Sequence, residues 1–261
     1  MNLIDSHTHL YQPVFDNDRE AMLQRAQEAG VKKFFLPGID SEVIERMLKM
    51  EKDYPGVCVA MMGLHPCSVK ENWKEEIELV SDWLGKKDFP AVGEIGLDFY
   101  WDKTFTDQQY EAFRLQIELA LVYKLPIVIH TRNAMQETIN VVKEYKGRGL
   151  KGIFHCFTGS YESATQILDA GFLLGIGGVV TYKNAGLAET LSRISLQHLV
   201  LETDAPYLSP VPYRGKRNES SYLGYIVEKL STIYGLTGEE IGETTSANAL
   251  TLFEPDLYQI K

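Results

Sequence analysis

The sequence predicts a single α/β domain over residues 1–261, a (β/α)8 TIM barrel with a terminal helix, on three observations. Short apolar runs recur eight times, stretches with helical spacing separate them, and no GxGxxG follows the first run. Near-continuous apolar strands alternating with helices mean a parallel sheet covered on both faces. Eight such units close into a barrel. The missing glycine pattern argues against the alternative, an open doubly wound sheet.

The strands are expected at LIDSH (3–7), KFFLPG (33–38), VCVAMMGL (57–64), PAVGEIG (90–96), PIVIH (126–130), GIFHCF (152–157), FLLGIG (172–177) and HLVLETD (198–204). Helices are expected between them, at 16–30, 41–54, 74–87 and 106–124. In the last of these, Tyr110, Phe113, Ile117 and Leu121 recur at the three-to-four spacing of one helix face. Glycine closes two periodic stretches, at Gly30 and Gly171. The final periodic stretch, GEEIGETTSANALTLF, predicts a terminal helix packed on the barrel's outside.

Composition narrows the class. An apolar content of 44% supports a large core. No run approaches the roughly 18 apolar residues of a membrane span, and the basic and apolar regions of a signal peptide are missing from the start. Three cysteines without a CxxC pair suit a reducing compartment, so a cytoplasmic protein is expected. A net charge of -10 argues against coating nucleic acid by bulk electrostatics. It leaves open an enzyme that engages phosphates locally, because bound cations can reverse the sign inside a pocket.

The active site of such a barrel forms at the C-terminal ends of its strands. Strand one runs into His7 and His9, strand three into His65, strand five into His130 and strand six into His155. Strand four carries Glu94, and strand eight ends in Asp204. Of six histidines only His198 stands at the opposite end. Histidines scattered for structural reasons would not choose one end. Four imidazoles and two carboxylates exceed the needs of one tetrahedral ion. They suit two divalent cations sharing a carboxylate, with His7 and His9 as part of the site.

The motifs SHTHL, GEIGLDFYW, IHTR, FHCFTGS and ETDAPYL, followed by YRGKRNE, resemble the motif series of the TatD-type metal-dependent deoxyribonucleases, in the amidohydrolase superfamily. The resemblance runs from residue 3 to about residue 253. It implies hydrolysis of DNA phosphodiester bonds with two divalent cations. Carried over motif by motif, it implies His7, His9 and Asp204 on one ion, His130 and His155 on the other, and Glu94 between them. The chain departs from the family pattern at Ser220, where proline usually follows the RGKRNE run.

Asp204 and Glu94 are the candidate catalytic residues. Asp204 is both a ligand and an acceptor for the attacking water's proton, because metals bring that water's pKa toward neutrality. Glu202, two residues earlier on the same face, is expected to support a ligand imidazole or pair with a buried cation. His65 either contacts a substrate phosphate or supports the ligands. Asp98 is expected in the loop bordering the metals. Cys156 should face away from the site and is not read as a nucleophile. Arg214, Lys216 and Arg217 follow strand eight and would hold flanking phosphates. Phe99, Tyr100, Trp101 and Tyr213 could stack on unpaired bases.

The expected function is a DNA hydrolase acting on single strands or ends, with Zn, Mn or Mg as cofactor. Imidazoles favour the softer ions, whereas the resemblance includes Mg. One alternative is a metal-dependent amide, ester or lactone hydrolase, which would leave the basic loop with nothing to bind. Another is a non-catalytic metal-bearing binding protein, against which the intact Asp204 and Glu94 stand. No membrane partner is expected, and a monomer is taken as the simplest assembly.

Overall fold

The computed structural model describes residues 1–253. Its eight strands are β1 (Leu3–Asp5), β2 (Val31–Leu36), β3 (Cys58–Ala60), β4 (Val92–Asp98), β5 (Ile127–Arg132), β6 (Gly152–Phe154), β7 (Phe172–Ile176) and β8 (Leu199–Leu201). Helices α1 (Arg19–Glu28), α2 (Ser41–Asp53), α3 (Trp73–Lys86), α4 (Thr106–Tyr123), α5 (Met135–Glu144), α6 (Tyr161–Asp169), α7 (Leu187–Leu191), α8 (Leu223–Tyr234) and α9 (Gly238–Phe253) alternate with or follow them.

All pairings are parallel and run in chain order, β1-β2-β3 and β4 through β8. Backbone bonds bridge both seams. Gly93 N–H donates to Met62 O at 3.0 Å between β3 and β4, and Ser6 N–H donates to Leu201 O at 2.9 Å between β1 and β8. Together they make the ring of a TIM barrel.

Several ladders are shorter than the apolar runs suggest. The first stops at Asp5, so His7 and His9 lie beyond it. That segment is still fixed, because Thr8 N–H donates to Phe35 O at 3.0 Å and His9 N–H to Ala205 O at 2.8 Å. His198 falls in a single turn before β8 and is exposed.

Alternation along the strands sorts two cores. Leu36, Ile127, Ile129, Phe154, Leu174 and Leu199 belong to the large core that includes the helix residues. Ile4, Phe35, Met61, Val128, Ile153 and Val200 form a second, interior layer. Val128 lies two residues before His130, Ile153 before His155 and Val200 before Glu202, so the layer sits directly beneath the polar strand ends.

The terminal helix corrects one expectation. Ala249, Leu252 and Phe253 at the end of α9 pack on this interior layer, with the Phe253 and Phe35 rings 4.3 Å apart. The end of α9 therefore stops the barrel's lower mouth instead of lying wholly outside. Apolar side chains there would otherwise meet water, and covering one phenylalanine is worth about 1.5–3 kcal/mol.

All three cysteines are free. No helix among the described residues is long and apolar enough to cross a membrane.

Candidate metal centre

Glu94, buried at the middle of β4, gathers the histidines from the other strands. Its Oε1 lies 2.8 Å from His130 Nδ1, 2.9 Å from His155 Nε2 and 3.3 Å from His65 Nε2. Its Oε2 lies 3.1 Å from His7 Nε2 and 3.5 Å from His9 Nε2. Asp204 Oδ1 closes the second side, 3.4 Å from His9 Nε2 and 3.8 Å from His7 Nε2. The His7 and His155 rings stack between the two sides at 3.9 Å.

The backbone makes room for these groups. Gly96 has φ +144, and a Cβ there would fall 2.0 Å from His130 O, so only glycine lets β4 and β5 approach as they do. A Cβ on Gly175 would fall 2.2 Å from Glu202 Oε2. Asp204 is held at φ 54, its N–H donating to His7 O at 2.9 Å. Aspartate is one of the few residues that accepts this left-handed geometry.

Charge balance follows from the same contacts. Burial would raise Glu94, but the imidazoles of His155, His65 and His7 and the bond from His130 hold it well below the usual carboxylate range. Asp204 is also lowered, because bonding to His9 and the nearby His155 and His7 outweigh its burial. Burial and the neighbouring His155 lower His7, despite Glu94. His9 rises to about 9, as Asp204 and Glu94 overcome its burial.

The site fits divalent metal ions. Neither ring nitrogen of His7 makes an aligned hydrogen bond among the described residues, and neither does His155 Nδ1, although all three are buried and Glu94 and Glu202 stand 3.1 and 3.4 Å from His7 Nε2 and His155 Nδ1. Buried polar atoms are rarely left so, and imidazole nitrogens beside carboxylates are metal-binding donors. The donors form three overlapping groups: His7, His9 and Glu94; His7, His155 and Asp204; His65, Glu94 and His130.

Supporting groups fix the rings. Glu202 Oε1 accepts from Cys156 N–H at 2.6 Å and lies 3.4 Å from His155 Nδ1. The structure thus places Glu202 beside a candidate ligand. Burial and the carboxylates around it push the Cys156 thiol well above its ordinary range. His65 stands inside the cluster, its Nδ1 accepting from Cys67 N–H at 3.0 Å. A neutral ring in that state carries its proton on Nε2, which faces Glu94.

Two contacts go beyond the sequence reading, which puts Asp98 in a loop bordering the metals, whereas it closes β4, and does not single out Tyr11. Asp98 is buried, with Oδ2 2.8 Å from His130 Nε2, so His130 lies between two carboxylates. Its position four residues after Glu94 on one strand face was the available signal. The Tyr11 hydroxyl lies 2.8 Å from His9 Nδ1, two residues away and beyond the end of β1.

The basic loop divides. Arg214 is exposed with its guanidinium 4.4 Å from the Tyr182 ring centre, and Lys216 is exposed. Arg217 instead bonds Asp18 through both terminal nitrogens, at 2.7 and 2.8 Å. Arg25 joins Asp18 to Glu219 in the same network. The structure therefore commits Arg217 to the α1 side of the loop, not to the metals. Ser220, at the position of the family's proline, is buried and donates to Asp5 Oδ2 at 2.6 Å.

A family model described as TatD related DNase matches residues 4–254. The chain belongs to the TatD family. It is 38% identical to the metal-dependent hydrolase YabD of Bacillus subtilis, over 96% of this chain and 98% of that protein. It is 32% identical to the protein named 3'-5' ssDNA/RNA exonuclease TatD in Dickeya dadantii, over 97% and 98% respectively. Among solved structures, the TatD homologue YjjV of Escherichia coli superposes with a TM-score of 0.91 at 30% identity, covering 96% of this chain and 97% of that one. The chain is therefore a TatD-family metal-dependent hydrolase.

Proposed function

We propose that this TatD-family hydrolase cleaves phosphodiester bonds of single-stranded DNA, working on free strands or ends with two divalent cations. His7, His9 and Asp204 would hold one ion and His130 and His155 the other, with Glu94 shared. One observation carries the reading: the two oxygens of Glu94 face separate groups of imidazoles, His7 and His9 on one side and His130 and His155 on the other. A carboxylate with nitrogen donors on both sides suits two ions sharing it.

Bound divalent cations supply Lewis acidity, polarising a phosphoryl oxygen and lowering the pKa of water. The chain's own groups do the rest. Asp204, kept ionised by its imidazole neighbours, accepts the attacking water's proton at Oδ. His65, whose Nε2–H faces Glu94 Oε1 at 3.3 Å, steadies that carboxylate and borders the place a substrate phosphate would take. Arg214 and Lys216 attract flanking phosphates at the rim, on a body whose net charge of -10 would otherwise repel them. Imidazole donors favour Zn or Mn over Mg. The name of the Dickeya relative supports the substrate class.

The deciding experiment is hydrolysis of an end-labelled single-stranded oligonucleotide before and after chelation, with Zn, Mn and Mg restored separately. Chelation should abolish cleavage and leave the circular dichroism of a folded barrel, since neither apolar core contains a ligand residue. Restored metal should return activity. Cleavage that persists with metal content near zero would sink the two-metal reading.

A further inference from the structure

We propose that Tyr100, Trp101 and Arg132 form a subsite that stacks one unpaired nucleobase beside the metal centre; this rests on the nuclease reading. Tyr100 is 51% exposed and Trp101 67%, although both follow directly on buried β4. Their rings meet edge to face at 4.8 Å. The Arg132 guanidinium lies 3.8 Å from the Tyr100 ring centre and 5.2 Å from that of Trp101. Neither ring belongs to a core cluster, whereas Phe99 packs against the main core and lies 6.0 Å from Tyr110.

The platform is tied to the candidate ligands. Asp98 Oδ1 accepts from Tyr100 N–H at 2.9 Å and from Trp101 N–H at 3.2 Å. The other oxygen of the same carboxylate lies 2.8 Å from His130 Nε2. Arg132 stands two residues after His130, its carbonyl accepting from Phe99 N–H at 2.9 Å. One carboxylate thus fixes both a candidate ligand and the backbone that carries the rings, and one strand delivers both His130 and Arg132.

Chemistry selects the occupant. An open indole offers a π-face to any base. A planar guanidinium at its border offers donors to the phosphate of the same nucleotide. A base inside a duplex is already stacked on its neighbours, so the platform takes an unpaired one. The other aromatic cluster at this mouth is different: Tyr213 and Tyr222 stack on each other at 4.2 Å and so occupy each other's faces.

The test compares the metal-loaded parent with Trp101→Ala and Trp101→Phe on a single-stranded ten-nucleotide DNA, intact or with an abasic site at each position in turn. Stacking on one aromatic ring predicts a rise in KM of about tenfold for Trp101→Ala, with most of it recovered in Trp101→Phe. One abasic position should cost the parent about as much and cost Trp101→Ala nothing further. Cleavage by Trp101→Ala indistinguishable from the parent's overturns the subsite alone. A loss that is the same at every abasic position overturns stacking and makes the rings a loop brace. If the parent does not cleave the oligonucleotide at all, the nuclease reading fails first and the subsite falls with it.

Discussion

The Tyr11 hydroxyl bridges His9 Nδ1, at 2.8 Å, and the Pro37 carbonyl, at 2.6 Å. A carbonyl only accepts, so the hydroxyl gives its proton to Pro37 and receives one from His9 Nδ1–H. In the neutral ring that a metal ion requires, His9 is thereby fixed in the tautomer that frees its Nε2 lone pair on the side of Glu94 and Asp204. Arg46 Nε donates to Tyr11 O at 3.0 Å and Arg19 Nε to Leu10 O at 3.1 Å, which holds the segment in place.

Tyr11→Phe keeps the ring and removes this bond. Metal affinity should fall by roughly 10- to 100-fold, the range for losing a partner of a ligand histidine. Titration of the apoprotein with Zn or Mn reads the effect without reference to activity. Unchanged affinity would mean that the segment's packing alone orients His9.

Asp204→Asn isolates charge from shape. Asparagine accepts the left-handed backbone at φ 54 as readily as aspartate, so the loop should not move. Turnover should fall on the order of 10²-fold or more, as for a lost general base, with a much smaller change in KM. Turnover within about threefold of the parent would remove Asp204 from the proton-accepting role.

Ser220→Ala tests how the loop after β8 is anchored. Asp5 is fully buried, and burial pushes its carboxyl up to about 7 against bonds from Ser220 and Thr203. Removing the Ser220 hydroxyl leaves an oxygen of a buried carboxyl with one donor fewer. The cost should be about 1–3 kcal/mol, read by denaturant unfolding. Ser220→Pro, which restores the family residue, also lacks the hydroxyl and should be destabilised as well. Parental stability in both variants would show that Thr203 suffices.

What the sequence made legible was whatever is written locally. His130 was legible because β5 carries it after an apolar run, and Glu94 because its charge interrupts the apolar run PAVGEIG of β4. Tyr11 was not, although His9 stands only two residues away, because β1 ends at Asp5 and strand alternation no longer says which way its side chain turns. Arg217 looked like its neighbours Arg214 and Lys216 because Asp18 is 199 residues distant. The apolar pattern of α9 marked a buried face but not its destination. Only the closed barrel exposes the interior layer that Phe253 covers.

The basic loop should separate into one structural and two binding cations. Arg217→Ala should lower stability and leave oligonucleotide binding nearly unchanged, while Arg214→Ala combined with Lys216→Ala should do the reverse. The Arg217 bond, helped by Arg25 and opposed by slight burial, holds the Asp18 carboxyl at about 2 instead of 3.8. A carboxylate depressed on folding contributes stability that is complete above its unfolded pKa and lost as pH falls through its folded one. The gap between parent and Arg217→Ala is on the order of 1 kcal/mol for a partly exposed pair. It should hold from pH 7 to about 4 and close toward pH 2, as thermal unfolding across that range can check. Binding to a single-stranded oligonucleotide reads the other pair. Each lost phosphate contact should flatten the slope of log affinity against log salt by about 0.7, and the double variant by about twice that. An equal flattening in Arg217→Ala would mean that substrate draws this guanidinium off Asp18, which would return Arg217 to the phosphate-binding set.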